Sequence, residues 1–470
     1  MPRMNKGLWA SASVCALLIA APVAMSHLSG RALERSLAEA GIAHSGPLTV
    51  SPFSGAVAIE GVSLGDGAVR IGTVRWQGAP FGLVSPAHAQ AGGFTLENIT
   101  AGFKQGSVTI PRVVVEGATF GKDDWAKIFA FDAGMPARIK TMNAKLIMVP
   151  EVRVQFSIDA QNKTDYTMKD IMADGLVAGR FGKVSIASTV FSTTAPGMNQ
   201  DGTVKKTEMT GFDMTQLARV WFETAAPGEK SLPLYESYVM DGMTSTATGA
   251  TALEMDFGRA VGRSVRMRPI RDRSLASIVD DLIKAGAARK AAGDGAKADD
   301  KEFLRGILRP LTDLVEGFED DGASGEGLRI VVGAKTDKPV TVTMGKFAGS
   351  YGGGSVPAGF LMTDISVKAP DVTARLAHFG IAGFSYMPTM RGLAEALDKG
   401  DGDFKSIDPR KLIPKLGEIT IKGLDIDAAD PNSPAGVKPE RIMLKLGQFL
   451  LAGKDEINGI PSDIRLGLTN

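Results

Sequence analysis

Hydrophobic and polar residues alternate along much of the chain after residue 47, with the two-residue period of a half-buried β-strand. Residues 152–158 (VRVQFSI) show the alternation most clearly. Glycine, proline, serine and aspartate separate the runs, which is typical of antiparallel strands joined by short turns. The runs predicted as β-rich are 55–64, 67–76, 93–103, 106–116, 137–192, 327–347, 359–368, 371–387, 416–425, 441–452 and 463–470.

A three-to-four-residue period replaces this alternation in a few places and predicts amphipathic helices. One short helix is expected over Asp123–Phe131, and another over 212–220 with Asp213 as its N-cap, after a polar linker at 192–207. Residues 273–318 hold two apolar stripes on either side of an Ala, Gly and charge-rich linker, with Pro310 expected to kink the second. We expect these stripes to cover a sheet; a membrane-surface or lid helix is the alternative.

The N-terminus carries a different pattern. Leu8–Met25 is an uncharged, mostly apolar run that follows Arg3 and Lys6. As a helix rising about 1.5 Å per residue it would span roughly 27 Å, close to the hydrocarbon core of a bilayer. The run predicts a transmembrane anchor, whose membrane-contacting residues include Leu8, Trp9, Leu17, Leu18, Ile19 and Val23.

An uncleaved anchor is favoured over a cleaved signal. Proline at position 22 spoils one candidate cleavage site, and a helical pattern continues from Arg31 to a stop at Gly41. The basic tip predicts that the body lies outside the cytoplasm. We therefore expect a single-pass protein of a bacterial inner membrane with its body in the periplasm; secretion to the periplasm after cleavage is the alternative.

The whole pattern predicts a mainly β (α+β) protein: an N-terminal membrane helix, then repeated long antiparallel β-sheet modules with a few amphipathic helices packed on them. The predicted divisions are 1–41 (anchor or signal and continuing helix), 42–272 (first β-rich module), 273–326 (helical insert with a charged linker) and 327–470 (second β-rich module). Because the last strand ends without a turn or tail, we expect a fragment of a longer chain.

Two self-similar features support repetition. Pro269 and Pro388 each follow a predicted strand and precede a predicted helix, where the fixed φ of proline is tolerated. An apolar-Gly-x-apolar-x-apolar motif recurs and is interpreted as the start of a strand. Its copies are 71–76 (IGTVRW), 181–186 (FGKVSI), 416–421 (LGEITI) and 446–451 (LGQFLL).

Composition and motifs narrow the function. Lys and Arg number 53 against 52 for Asp and Glu, so the net charge of +1 gives no electrostatic attraction to nucleic acid. The four histidines and the single Cys15 show no ligand spacing, so no metal site is predicted, and a disulfide within the chain is impossible. No nucleophile elbow, P-loop or HExxH motif occurs. We expect no catalytic residues and no cofactor, and favour a non-enzymatic protein.

The anchor, the amphipathic 31–41 segment and the strand 55–64 (GAVAIEGVSL) resemble the start of AsmA-like envelope proteins, and 212–218 (FDMTQLA) resembles their Asp-x-x-x-Leu-Ala turns. The likeness covers residues 1–76 and scattered later strands. The resemblance implies a taco-like β-sheet whose apolar groove holds or conducts phospholipid in envelope homeostasis. The expected partners are the membrane, phospholipid acyl chains and other envelope proteins.

A second hypothesis is a structural or interaction protein whose stacked β modules bind another envelope protein. The two hypotheses differ in what the sheet faces should look like. An apolar face open to solvent would favour lipid binding, whereas faces fully covered by the amphipathic helices would favour the interaction protein.

Overall fold

A computed structural model gives the architecture, which is mainly β with 65% strand and 14% helix. The chain divides into two compact units, Met1–Thr189 and Val190–Asn470, here called unit 1 and unit 2. The structure describes residues 30–469 except 32, 36, 39–41, 52–55, 65–66, 68, 77–91, 104–105, 119–133, 158–160, 250–251, 280, 282–299, 353–357, 386, 399–414, 416, 431–432, 434–438 and 458–459.

Unit 1 is an antiparallel meander. β1 and β2 both pair with β3, and each strand from β3 to β8 then pairs with the next along the chain. A one-turn helix, α1 (Met135–Ile139), stands between β6 and β7. The strands are β1 (Ala43–His44), β2 (Leu48–Val50), β3 (Val57–Leu64), β4 (Val69–Trp76), β5 (Gly92–Phe103), β6 (Gly106–Ala118), β7 (Ala144–Ser157) and β8 (Lys163–Leu176).

Helical residues between 30 and 38 cover one end of this sheet. Leu33 and Leu37 of that segment, with Ile42, pack against the apolar side chains of β3, β4 and β5. Ile71 at the centre of the cluster is only 1% exposed. The continuing helix predicted from residue 31 is therefore confirmed where the structure describes it, and its apolar stripe contributes to the core.

A row of unusual backbone conformations crosses β3, β4 and β5. Gly61 and Asn98 have positive φ angles of 67° and 55°, and Gly72 lies between them on the middle strand. The strand pairing is interrupted at these three residues and resumes beyond them without a register shift. We call Gly61, Gly72 and Asn98 the kink row of unit 1.

The kink row changes the spacing of apolar residues without changing the face they occupy. In a regular strand, residues three apart point to opposite faces. Here Ile59 and Val62, on either side of Gly61, belong to the same core cluster, as do Ile71 and Val74 on either side of Gly72. The left-handed residues thus allow a three-residue step within one buried face.

Gly72→Ala should destabilise unit 1 by about 1–3 kcal/mol, the usual cost of overpacking. A Cβ at position 72 would lie 2.9 Å from the Asn98 Cβ, closer than two carbon atoms tolerate. Gly102→Ala in β5 is the control, because a Cβ there meets nothing within 4 Å. Urea unfolding followed by hydrogen exchange of unit 1 amides measures both variants, and equal stability of the two would contradict the steric role of Gly72.

Unit 2 is also antiparallel. β9 (Lys183–Ala195) crosses the boundary between the units. Two series of strands, β10–β13–β14 and β11–β12–β15, both join β17, which pairs with β14 along one half and with β15 along the other. The further strands are β10 (Met198–Val204), β11 (Thr207–Thr210), β12 (Leu232–Met240), β13 (Met243–Gly249), β14 (Leu253–Phe257), β15 (Ala260–Met267), β16 (Phe318–Asp320) and β17 (Ala323–Val332).

A meander follows β17, each strand pairing with the next. Its strands are β18 (Val340–Ser350), β19 (Gly359–Ala369), β20 (Val372–Ala382), β21 (Glu418–Ala429), β22 (Arg441–Ile457) and β23 (Ile460–Thr469). Unit 2 also contains helices α2 (Met214–Phe222), α3 (Asp300–Glu316) and α4 (Met387–Asp398), and a helical turn at 275–279.

The predicted strands after residue 47 are confirmed, although helix α1 occupies the start of the run predicted from residue 137. The helix over 212–220 is confirmed as α2, and the Asp213 carboxylate caps it by accepting a 2.8 Å hydrogen bond from the Gln216 amide. The second stripe of the insert is helical as α3, with Pro310 inside the helix. The helix predicted over 123–131 and the linker within the insert lie outside the described residues.

The polar linker predicted at 192–207 is wrong. Those residues complete β9 and form β10, which pairs with β13 over its whole length. Polar side chains satisfy one another in this ladder, since the Gln200 amide donates to the Ser245 hydroxyl at 2.9 Å. A strand with polar residues on both faces lacks the alternation on which the prediction depended.

Candidate binding surface

One face of the meander β17–β23 carries apolar residues in successive rows across the strands. The first row is Ile330, Val342, Val367, Ala374, Ile426 and Leu444. The second is Phe347, Met362, Phe379, Ile421, Phe449 and Leu468. The third is Gly349, Phe360, Ile381, Ile419, Leu451 and Leu466. We call these three rows, extended by Ile442 and Ile464, the apolar face.

The opposite face of the same strands is polar and charged. The row next to the first apolar row is Arg329, Thr343, Ser366, Arg375, Asp425 and Lys445. Arg441 and Asp427 form an ion pair of 2.7 Å on this side. A sheet with one apolar and one polar face normally packs its apolar face against another layer.

A second kink row crosses this sheet. Gly327, Asp364 and Gly423 have φ angles of 71°, 55° and 64°, on alternate strands. Gly345 and Ala377 lie between them on the intervening strands, and the pairing is interrupted at this level in every ladder from β17 to β21. As in unit 1, the step between apolar residues changes from two to three at the row.

Aromatic packing confirms that the apolar residues stay on one face beside this row. The rings of Phe257 and Phe347 lie 5.5 Å apart, with Gly325 beneath them. A Cβ at Gly325 would point directly into both rings, at 2.5 Å and 2.7 Å. Glycine at 325 therefore allows phenylalanines from β14 and β18 to meet over the strand that separates them.

The apolar face is open to solvent. All the large hydrophobic side chains that are exposed on described parts of β18–β23 lie on it, apart from Met443. They are Phe360 (41% exposed), Ile442 (52%), Leu444 (53%), Ile464 (62%), Leu466 (71%) and Leu468 (71%). Single exposed leucines are ordinary, whereas a contiguous exposed apolar surface marks a binding site. Seven strands at about 4.8 Å spacing and about ten residues of strand give a face roughly 29 Å by 33 Å.

The helices of unit 2 pack elsewhere. α2 contacts β12, α3 contacts β16 and α4 packs on α3. Among the residues that the structure describes, no helix packs extensively against β18–β23. The prediction that helices pack on the sheet therefore holds at the strand ends and not over the apolar face.

Ion pairs fix α3 in this position. Arg268, which is 5% exposed, donates to both carboxylate oxygens of Asp313 at 2.7 Å and 3.1 Å. The amide of Arg271 also donates to Asp313, at 2.6 Å. On the next turn Glu316 accepts from Arg391 of α4 at 2.6 Å, which ties the two helices together.

Burial would raise the pKa of Asp313, but the hydrogen bonds from Arg268 and the Arg271 amide outweigh it and hold the pKa below its ordinary value of 3.8. A lowered carboxyl pKa stabilises the fold above the ordinary value, and the contribution is lost as the pH falls through the folded-state pKa. Hydrogen exchange should therefore show α3 losing protection below about pH 4. Protection that stays constant from about pH 5 to about pH 2.5 would contradict this assignment.

A basin of about 470 Å³ lies beside this network. Four arginines line it, namely Arg271, Arg273, Arg309 and Arg391, and four acidic residues balance them, namely Asp272, Asp313, Glu316 and Glu395. Because the two signs cancel and several pairs are in direct contact, the basin is a structural ion-pair network rather than a site for a free anion.

A second concavity of about 450 Å³ lies among β15 and β17–β21. Its ionisable side chains include Arg263, His378 and Glu418, on three different strands. No group of three or more His, Cys, Asp or Glu residues able to hold a metal ion occurs in the described part of the chain. The apolar face is therefore the stronger candidate site.

The anchor residues Leu8, Trp9, Leu17, Leu18, Ile19 and Val23 lie outside the described residues. Within the described residues, no helix has the length and apolar character needed to cross a bilayer. Sequence reasoning identified individual apolar strands but missed the kink rows. A signal was present, because 71–76 and 446–451, interpreted as strand starts, lie inside β4 and β22 with their glycines at kink-row level.

Comparisons with protein-family models, with curated proteins and with solved structures gave no match.

Proposed function

We propose that unit 2 binds the hydrocarbon chains of lipids on its apolar face. We further propose that Leu8–Met25 tethers the protein to an inner membrane with its body in the periplasm, where it serves envelope lipid homeostasis. The single observation that carries the binding proposal is the segregation of side chains on β17–β23: uncharged rows exposed on one face, charged rows on the other.

The physical chemistry of such a face suits acyl chains. A flat apolar surface without hydrogen-bond donors offers little to a polar ligand, whereas each methylene group removed from water contributes about 0.8 kcal/mol. Ten buried methylene groups would contribute roughly 8 kcal/mol, before the cost of ordering the chain. A face of about 33 Å along the strands exceeds the roughly 15 Å depth of one bilayer leaflet, so it can accept a full lipid tail.

An interaction protein is the weaker proposal. That function was expected to show sheet faces covered by the amphipathic helices, whereas the described helices pack at strand ends. Kinship with AsmA-like envelope proteins remains a proposal supported by the N-terminal sequence pattern over residues 1–76, and the open apolar face is compatible with it.

Photo-crosslinking tests the binding proposal. The full chain is reconstituted in lipid nanodiscs that contain a phospholipid with a diazirine in its acyl chain, then irradiated and digested. Crosslinked peptides should come from β18–β23 as well as from the anchor. Crosslinks confined to residues 8–25 would overturn the proposal.

A further inference from the structure

Helix α3 is oriented with its polar side toward the protein and its apolar side toward solvent. Thr312 is 6% exposed, and the side chains of Asp313 and Glu316 are 12% and 18% exposed. Leu311 and Val315, one turn apart on the other side, are 43% and 37% exposed. Surface helices normally show the reverse arrangement, with the apolar stripe facing the core.

This orientation is fixed by the ion pairs and not by hydrophobic burial. Asp313 is held by the buried Arg268, and Glu316 by Arg271 and Arg391. Turning the apolar stripe inward would leave Arg268 buried without its partner, which costs several kcal/mol. The exposed stripe is therefore a built feature of unit 2.

We propose that α3 docks unit 2 on the surface of a phospholipid bilayer that contains anionic lipids. The proposal rests on the proposed function, since a protein that binds acyl chains must meet the membrane that supplies them. Leu311 and Val315 would enter the boundary between headgroups and acyl chains, as the apolar side of an interfacial helix does.

Charge at the same end of unit 2 favours a bilayer with phosphate groups. Arg271, Arg309 and Arg391 are 57%, 62% and 60% exposed, so their guanidinium groups can reach a surface in front of α3. Two of the carboxylates that balance them, Asp313 and Glu316, are largely shielded beneath. Arginine pairs with phosphate bidentately, and long cationic side chains extend to the headgroup level beside apolar residues.

The position of α3 also suits transfer to the apolar face. α3 runs directly into β16, which pairs with the end of β15, and α4 begins shortly after the end of β20. Both helices thus lie at strand ends of the sheet that carries the apolar face. A lipid leaving a bilayer at α3 would meet the face at the end of its strands.

The single cysteine makes a site-specific test possible. Val315→Cys in a Cys15→Ser background is labelled with the environment-sensitive dye NBD, and the full chain is reconstituted in vesicles of phosphatidylcholine with or without phosphatidylglycerol. Met443→Cys is the matched control, because Met443 is 65% exposed on the polar face of β22. The label at 315 should brighten about twofold in the anionic vesicles and be quenched by lipids that carry a shallow nitroxide, whereas the label at 443 should not.

Two further arms decide the mechanism. Arg309→Gln should reduce the brightening at 315 in anionic vesicles, and high salt should do the same. A label at 315 that stays water-exposed in both vesicle types would overturn membrane docking, as would shielding seen only when another protein is added. Crosslinking of lipid to β18–β23 is measured independently, so loss of docking with retained crosslinks refutes this inference and leaves the proposed function standing.

Discussion

Leu444→Lys should lower lipid binding about tenfold, equivalent to about 1.4 kcal/mol, while leaving the fold intact. Leu444 lies in the first row of the apolar face and is 53% exposed, so a lysine fits there without steric strain. A charge placed against an acyl chain must be desolvated or must bend away to water, and both weaken the contact. Displacement of a fluorescent fatty acid from the reconstituted full chain measures the affinity.

Met443→Lys is the matched control for this prediction. Met443 is the neighbouring residue on β22, is 65% exposed and opposes Asp427 on the polar face. A lysine there adds the same charge to the same strand, so the affinity should stay within twofold of the parent (about 0.4 kcal/mol). Equal losses in the two variants would show that net charge, not the apolar face, governs binding.

Arg268→Met should destabilise the helical end of unit 2 by about 3–5 kcal/mol, because it leaves Asp313 shielded from water without its main partner. Arg268 is the most buried arginine of the network and makes two hydrogen bonds to that carboxylate. Hydrogen exchange of α3 and β15 amides measures the local free energy of opening.

Arg329→Met provides the comparison for Arg268. Arg329 pairs with Asp256 at 3.1 Å, but both side chains are about half exposed. Exposed pairs of this kind contribute at most about 1 kcal/mol. Similar effects of the two substitutions would mean that the Arg268–Asp313 pair does not hold α3 in place.

Local sequence signals predicted much of the fold. Alternation located the long strands because each has one apolar and one polar face, and Asp213 marked the start of α2 because a carboxylate before a helix accepts its first free amides. These signals depend only on neighbouring residues. The strand β10 escaped because its stabilising contact, Gln200 with Ser245, joins residues that are distant in sequence.

The candidate site could be predicted only in part. An apolar face on an antiparallel sheet follows from alternation, but whether a second layer covers it depends on where the helices pack. For α3 the amphipathic pattern is misleading, because its apolar stripe suggests a helix lying on the sheet. The ion pairs of Arg268 and Arg391, from segments 45 residues before and 78 residues after the carboxylates they hold, reverse the orientation.

The kink rows also affect how the sheet tolerates insertions during evolution. In an ordinary strand, one inserted residue moves the side chains beyond it to the opposite face. At Asp364 or Gly423 the chain already takes such a step and recovers the same face through a left-handed residue. Each strand of the meander is thus built from two short segments in separate phase, and a second left-handed residue could compensate an insertion within one segment. Strands of this design can lengthen by small steps while one continuous surface is kept.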